Sequence, residues 1–438
     1  MNRREFVTAT AATMATAAVA ATAKSYAQIL GANDRVNFAV AGLNGRGYAH
    51  LAAILDNSPR AHRAFCCDVD SRILDKFAAK ASSVLGYAPT AVGDFRRALD
   101  SKDVDAITIA TPEHWHTPMA ILGLKAGKNV YVEKPSSHNC REGELLIAAQ
   151  KKYGHCVQVG DQQRSSEHTI KIIGDIHAGL IGRAYAARSW YSNTRKSMGK
   201  GKPAPVPANL DWELWQGPAP RAAYKDNIHP YNWHWLIPYG TGETLNNGTH
   251  EVDICRWALD AGYPSRVYAC GARYHFDDDW QFADTVTTTF DYKDKQITWE
   301  CNSSNGMKQY NRDRGSVILG TNGSVLLDRG GYEVYDNNGK LIDQFSNNTH
   351  ADTHDAVSRD KMTANHFANF MDGIRSGAPL HSPIQIAAVS VAMLLLSNIS
   401  IQMGRSLTLD SSTGHILNDA EAMKHWGRSY EKGWEPTV

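Results

Sequence analysis

Between Arg35 and Leu55 the chain passes from a continuous apolar run, Arg35-Val36-Asn37-Phe38-Ala39-Val40-Ala41, through Gly42-Leu43-Asn44-Gly45-Arg46-Gly47 into a helical pattern. Strand, glycine turn and helix in that order open a βαβ unit and commit this part of the chain to a parallel sheet covered by helices. The same turn suits one ligand class. Glycines let the backbone approach a pyrophosphate, whose charge then rests on the amides at the helix N-terminus. Gly42 and Gly47 hold the first and third glycine positions. Asn44 stands at the second, where Asn tolerates unusual backbone angles and Gly45 adjoins it.

A second apolar run, Arg63 to Cys67, ends at Asp68, at the distance from the turn where a carboxylate meets a ribose 2′-hydroxyl. Asp68 there favours NAD over NADP by repelling a 2′-phosphate; Arg46 and Arg72 are the groups available to answer such a phosphate. A helix N-cap is the alternative role for Asp68. Further runs at Asp105 to Ala110 and Asn129 to Val132 continue the alternation. The expected fold is α/β: an N-terminal Rossmann doubly wound parallel sheet over residues 31–160, then a substrate-binding and oligomerisation α/β domain over 161–438.

Two motifs sit at the carboxyl ends of those strands, where open α/β sheets bind ligands: Thr111-Pro112-Glu113-His114-Trp115-His116 and Glu133-Lys134-Pro135. With the stretch Ala126 to Pro135 and the later Gly240-Thr241-Gly242-Glu243-Thr244-Leu245-Asn246-Asn247-Gly248-Thr249-His250, they resemble the Gfo/Idh/MocA sugar oxidoreductases, across the chain from about Arg35 to Ser400. The resemblance implies an NAD(P)-dependent enzyme with a cofactor wall of Gly42, Asn44, Gly45, Arg46, Gly47, Asp68, Thr111, Pro112, His114, Trp115, His116, Glu133 and Lys134. It further implies that Lys134 reaches the substrate hydroxyl and that His250 accepts or donates the proton. Asn246 replaces an aspartate common in the family, and it retains the ability to bond a sugar hydroxyl or orient the imidazole.

Oxidising a secondary alcohol requires a hydride acceptor and a base active near neutrality, which makes His250 the expected base and Lys134 the group that orients the hydroxyl and stabilises the alkoxide. For His250 the plainer alternative is a helix cap. Tyr231-Asn232-Trp233-His234-Trp235 supplies flat apolar faces and polar edges, so Trp233, His234 and Trp235 are expected at the sugar, with ordinary aromatic packing as the alternative. Arg164, after the run Cys156 to Val159, is expected either to contact substrate or to form an interdomain salt bridge. His114, His116, His234 and His250 lack the spacing and the carboxylate of a metal site, so no metal is expected.

From Lys196 to Leu210 the composition, rich in Pro, Gly and Lys, reads as a long surface loop. Alternating runs at Ala283 to Asp291 and Gln296 to Cys301, with turns at Thr321-Asn322-Gly323 and Asn337-Asn338-Gly339, predict a mostly antiparallel sheet. The resemblance implies dimers or tetramers built on that sheet. The apolar stretch Ile384 to Ile401 carries Ser390 and Asn398 and reads as a core helix returning to the fold, not a membrane span. With 46 basic against 45 acidic side chains among 438 residues, the chain has no electrostatic footprint for nucleic acid. Seven irregularly spaced cysteines without a CxxC pair are expected to be free thiols.

Residues 1–30 differ from the rest. Arg3-Arg4-Glu5-Phe6, the Ala/Thr-rich stretch Thr8 to Ala23 and small-residue cleavage sites resemble a twin-arginine signal peptide, which implies folded export by the Tat machinery, no stable membrane anchor and a periplasmic protein. Because the periplasm has no soluble NAD pool, a reduced cofactor must be reoxidised in place and is expected to be tightly held. Ping-pong hydride transfer between two sugars meets this demand. A redox-neutral glycosidase does too, by transient oxidation, elimination and hydration, although that branch's His-Gly-x-Gly-Pro stretch is absent. A silent sugar-binding protein is the third expectation, disfavoured by the joint presence of Lys134 and His250.

Overall fold

The computed structural model describes residues 35–347 and 360–438, so the segment read as an export signal lies outside the described residues. The first sheet joins β1 (Val36–Ala41), β2 (Ala61–Cys67), β3 (Thr90–Val92), β4 (Ala106–Ile109), β5 (Asn129–Val132) and β6 (Val157–Val159). Their order is β3-β2-β1-β4-β5-β6, with every pairing parallel. The order reverses between β1 and β4, which opens a crevice at the carboxyl ends of the strands. Helices α1 (Arg46–Asp56), α2 (Ser71–Leu85), α3 (His116–Lys125) and α4 (Cys140–Tyr153) connect the strands. The doubly wound sheet expected from the apolar runs is therefore present, with β5 at the residues read for it.

Beyond α5 (Glu167–His177) a nine-stranded sheet runs β14-β13-β12-β11-β7-β10-β9-β8-β15. Its members are β7 (Ala184–Ser192), β8 (Arg266–Ala272), β9 (Thr285–Asp291), β10 (Gln296–Asn302), β11 (Arg314–Gly320), β12 (Ser324–Leu327), β13 (Gly331–Tyr335), β14 (Leu341–Ser346) and β15 (Leu407–Thr408). The pairings are antiparallel except β7 with β10. The turns read at Thr321 to Gly323 and Asn337 to Gly339 join β11 to β12 and β13 to β14. Alternation in β8 to β10 buries Val267, Val286, Phe290, Ile297 and Trp299 beneath α6 (Gly248–Ala258) and the later apolar helix.

Two helices tie the sheets together. In α7 (Lys361–Ser376), Phe367 and Phe370 pack on Phe38 of β1 and Tyr131 of β5, so the nucleotide-side core is completed by residues more than two hundred positions downstream. Helix α8 (Ile384–Met403) is long and apolar enough to cross a membrane, but most of it is buried here, its first turn in the core of the first sheet and the rest against the second. The stretch Lys196 to Leu210 forms no regular strand or helix, yet Met198 and Leu210 are buried with Trp212, Trp215, Trp233, Trp235 and Trp280. This aromatic lobe docks on the first sheet. The amides of Ser71 and Asp211 bond the carbonyls of Asn209 and Val69, and the Trp115 indole bonds the carbonyl of Trp215.

Candidate active site

A cleft of about 1740 Å³ runs from the carboxyl ends of β1, β2 and β4 to the edge of the second sheet and contains both candidate catalytic residues. Its floor is the glycine turn. Gly42 has φ of +84°, and a Cβ there would meet the Ala110 carbonyl oxygen at 2.4 Å; one on Gly47 would meet the Gly42 carbonyl oxygen at the same distance. At Gly45 a Cβ would meet no atom within 4 Å, which leaves the cleft side of the turn open. Helix α1 begins there with no side-chain cap, so its first amides remain available to an anion.

Asp68 closes the far end of this floor. Its carboxylate accepts from the amides of Leu43 at 2.9 Å and Asp70 at 3.0 Å, fixing the turn to the end of β2. The cap of α2 is Asp70, which removes the alternative role considered for Asp68. Burial pushes the Asp68 carboxyl up to about 6 against the opposing bonds from Asp70 and Leu43. The Thr111 hydroxyl, also on the cleft wall, is buried with no hydrogen-bond partner. Glycines where side chains would collide, uncapped amides, a carboxylate at the second strand and an orphaned hydroxyl fit a dinucleotide and ask for its polar atoms.

Arg46 serves a different purpose from the phosphate contact considered for it. Its Nε donates to Glu133 at 2.8 Å and its Nη2 to Thr363 at 2.9 Å. The same Glu133 oxygen lies 2.9 Å from His50 and accepts from Gln162 at 2.9 Å. Burial alone would raise this carboxyl, yet Arg46 and His50 hold it far below the usual carboxylate range. Glu133 and Arg46 thus form a buried clamp behind Lys134. Arg72 is largely exposed and turned to Asp70, so neither arginine stands free for a 2′-phosphate.

Lys134 Nζ donates to the backbone carbonyl of Asn246 at 2.6 Å and to its side-chain oxygen at 3.2 Å. Asn246 in turn donates to Glu243 at 3.1 Å, and buried Glu243 pairs with Arg195, which also donates to the exposed Tyr231 hydroxyl at 3.2 Å. Burial draws the ammonium of Lys134 down to about 8, with Glu133 and Glu113 opposing and Arg329 and Arg46 assisting. Burial likewise raises Glu113, which accepts from the Thr241 hydroxyl, to about 7. His250 lies in the first turn of α6, whose cap residue is Asn247. Burial and four cations, Arg329, Lys134, Arg314 and Arg46, hold its imidazole well below the ordinary value, and so neutral.

Four of the site residues expected from sequence lie elsewhere. Arg164 does not line the cleft; it donates to Asp253 at 2.5 and 3.0 Å beneath Trp257, a buried salt bridge inside the second domain and so neither the substrate contact nor the interdomain pair weighed above. Trp235 is sandwiched between Trp280, 3.8 Å away, and Arg195, while Trp233 and His234 do line the cleft. His114 is fully buried off the cleft, with its ring nitrogens 3.3 and 3.0 Å from the carbonyls of Tyr239 and Trp215. Gly47 is buried just under the turn. Pro112, Trp115 and His116 remain on the wall, the last with its nitrogens 2.6 and 2.9 Å from the carbonyls of Pro135 and Thr111. Arg195 and Arg329 line the cleft without any sequence motif around them. Among the described residues no group of three or more His, Cys, Asp and Glu is placed to hold a metal, and the cysteines are free thiols.

The NAD-binding Rossmann-fold model of the GFO_IDH_MocA oxidoreductase family matches residues 36–161, and the GFO/IDH/MocA C-terminal domain model matches residues 214–326. A glycosyl hydrolase family 109 protein of Saccharopolyspora erythraea is 29% identical over 173 residues, 38% of this chain and 37% of the relative. Levoglucosan dehydrogenase of Pseudarthrobacter phenanthrenivorans is 29% identical over 185 residues, 42% of this chain and 40% of the relative. The matches thus span about two-fifths of the length of these curated relatives. Among solved structures, levoglucosan dehydrogenase in complex with NADH and levoglucosan superposes with a TM-score of 0.65 at 18% identity, covering 85% of this chain and 99% of that one. The WlbA dehydrogenase of Chromobacterium violaceum, in complex with NADH and UDP-GlcNAcA, gives 0.64 at 20% identity, covering 86% and 96%. With the two family models together spanning more than half of its residues, the chain belongs to the Gfo/Idh/MocA oxidoreductases and carries their NAD-binding Rossmann fold.

Proposed function

We propose that the protein is a sugar or polyol oxidoreductase that moves a hydride between a secondary alcohol and a tightly held NAD, with Lys134 and His250 at the reacting hydroxyl. One observation carries the proposal: a half-buried lysine near its titration point and a neutral histidine share one cleft with the glycine turn and Asp68. Bound NAD supplies the hydride acceptor. Lys134, held by Asn246, orients the substrate hydroxyl and stabilises the alkoxide as the O–H bond breaks. The proton passes from the substrate hydroxyl to an imidazole nitrogen of His250, and the cleft places the C–H bond of that carbon where a bound NAD would accept the hydride. Trp233 offers an apolar face to the sugar ring, and the aromatic lobe keeps bulk water from the floor of the cleft.

The test is to purify the protein without added cofactor, release any nucleotide by denaturation, and measure its identity and molar ratio by mass spectrometry. Near-stoichiometric NAD with sugar-dependent reduction is expected; no nucleotide and no reduction with any sugar overturns the proposal. A redox-neutral glycosidase is the second reading, favoured by the family 109 glycosyl hydrolases among the relatives. It is distinguished by release of an aglycone without net NADH. We further propose that residues 1–30 direct folded export to the periplasm through the Tat machinery and that copies associate through the second sheet. Arg3-Arg4 support the first, and the exposed Tyr268 on that sheet supports the second.

A further inference from the structure

Among the described residues, the arginines on the wall of the cleft are, with one exception, paired with carboxylates. Arg46 pairs with Glu133, Arg195 with Glu243, Arg312 with Asp328 and Glu333, and Arg314 with Glu251. Arg329 has no carboxylate partner among the described residues, and its Nε is buried without a hydrogen bond. Burying part of a guanidinium without a partner is costly unless something negative meets it.

The backbone that carries it is pinned. Arg329 stands at the turn between β12 and β13, where the Asp328 amide donates to the Gly331 carbonyl at 3.0 Å and the Asp328 carboxylate accepts from the amides of Gly330 and Gly331 at 2.7 and 3.0 Å. The other Asp328 oxygen is held by Arg312 at 3.0 Å. The nearby carboxylates are already engaged, Glu251 by Arg314 and Asp360 by the Thr363 hydroxyl and amide. The turn therefore presents a cation with no carboxylate partner among the described residues to the cleft that holds His250 and Lys134, both of which feel its charge.

We infer that the substrate is an anionic sugar whose charged group is received by Arg329 beside His250, an inference that rests on the sugar-oxidoreductase proposal above. A carboxylate or a phosphate presents paired oxygens to the guanidinium fork, which a neutral hydroxyl does not. The anion would also act on the chemistry. By neutralising one of the cations that keep His250 from accepting a proton, it makes the imidazole a better base only when the correct substrate is bound.

The experiment uses the NAD-loaded protein and measures calorimetric Kd for glucose, glucuronate and glucose 6-phosphate, and for the corresponding galactose series, on the unaltered chain and on Arg329→Gln and Arg329→Lys. At least one acid is expected to bind about tenfold or more tightly than its neutral parent, with the preference lost in Arg329→Gln and partly restored in Arg329→Lys. A uronate preference identifies a carboxylate and a 6-phosphate preference a phosphate ester. The inference is overturned if no acid is preferred, or if the preference survives in Arg329→Gln. It is equally overturned if Arg329→Gln loses NAD affinity instead, because the guanidinium then serves the cofactor. Neutral sugars turned over without any acid preference would sink this inference alone, whereas no turnover of either class, with no nucleotide retained, would remove the oxidoreductase proposal as well.

Discussion

Lys134 at the end of the first sheet donates at 2.6 Å to the carbonyl of Asn246 at the threshold of α6, so the ammonium group is positioned by both halves of the molecule at once. Asn246 also passes the contact on to Glu243 and Arg195. Replacing Lys134 by Met should leave the bound nucleotide in place and lower kcat by about 10²- to 10⁴-fold, the range of a positioned proton-transfer group. Steady-state rates together with nucleotide content check this, and unchanged turnover would remove Lys134 from the reaction.

The carboxyl of Asp68 gives NAD binding a pH dependence of known sign. With the site empty, burial holds it up to about 6, so the native state keeps a proton between roughly pH 4 and 6 that the unfolded chain has released. Its contribution to the stability of the empty protein is therefore full below pH 4 and lost as pH rises through 6. A ribose hydroxyl donates better to the ionised form. NAD affinity should accordingly weaken about fivefold as pH falls through 6 and stay flat above 7. Fluorescence titration with NAD from pH 5 to 8 reads it, and Asp68→Asn should abolish the dependence.

Gly45 and Gly47 separate a ligand requirement from a folding requirement within one turn. A Cβ at Gly45 meets no protein atom within 4 Å, whereas one at Gly47 meets the Gly42 carbonyl oxygen at 2.4 Å. Gly45→Ala should fold normally and lose about tenfold or more in NAD affinity, since the new methyl occupies the approach of the pyrophosphate. Gly47→Ala should be destabilised with or without NAD, visible as a lower Tm. Equal Tm losses in both variants would contradict this division.

Arg164 should matter for stability and not for substrate recognition. Removing it by Arg164→Met leaves buried Asp253 with Ser390 at 2.7 Å and the more distant Arg256 at 3.8 Å. Loss of one partner of a buried pair costs about 3 kcal/mol or more. Denaturant unfolding should register that cost, while the sugar KM of the folded fraction stays within about twofold. A large rise in KM at unchanged stability would return Arg164 to the substrate.

The first sheet was legible because its signals are local: the apolar run of β5, the glycine turn and the Glu133-Lys134-Pro135 motif each lie within a few residues, and parallel order follows from the alternation. The second sheet was legible in kind through its alternating strands, but not in the parallel pairing of β7 with β10, which joins segments about a hundred residues apart. Long-range partners hid the rest. The partner of Arg164 lies 89 residues away, and Trp235 finds Trp280 across a loop that no periodicity links to it. Arg195 and Arg329 sit outside any motif. The Asp328-Arg329-Gly330-Gly331 sequence announces a turn, but only the packed hairpin shows which way the turn faces.

Since α7 supplies Phe367 and Phe370 to the core around Phe38, and Trp434 packs edge-on at 5.1 Å against Trp115, the nucleotide-binding half is not a unit that synthesis from the N-terminus can finish first. A ribosome has made nearly the entire chain before the hydrophobic surface of the first sheet is covered. Until then the nascent sheet is exposed to chaperones and to premature association. Truncations that end after the first sheet should therefore aggregate instead of yielding a minimal nucleotide-binding domain. Any cofactor captured during biogenesis is captured late, by a chain that is already almost complete.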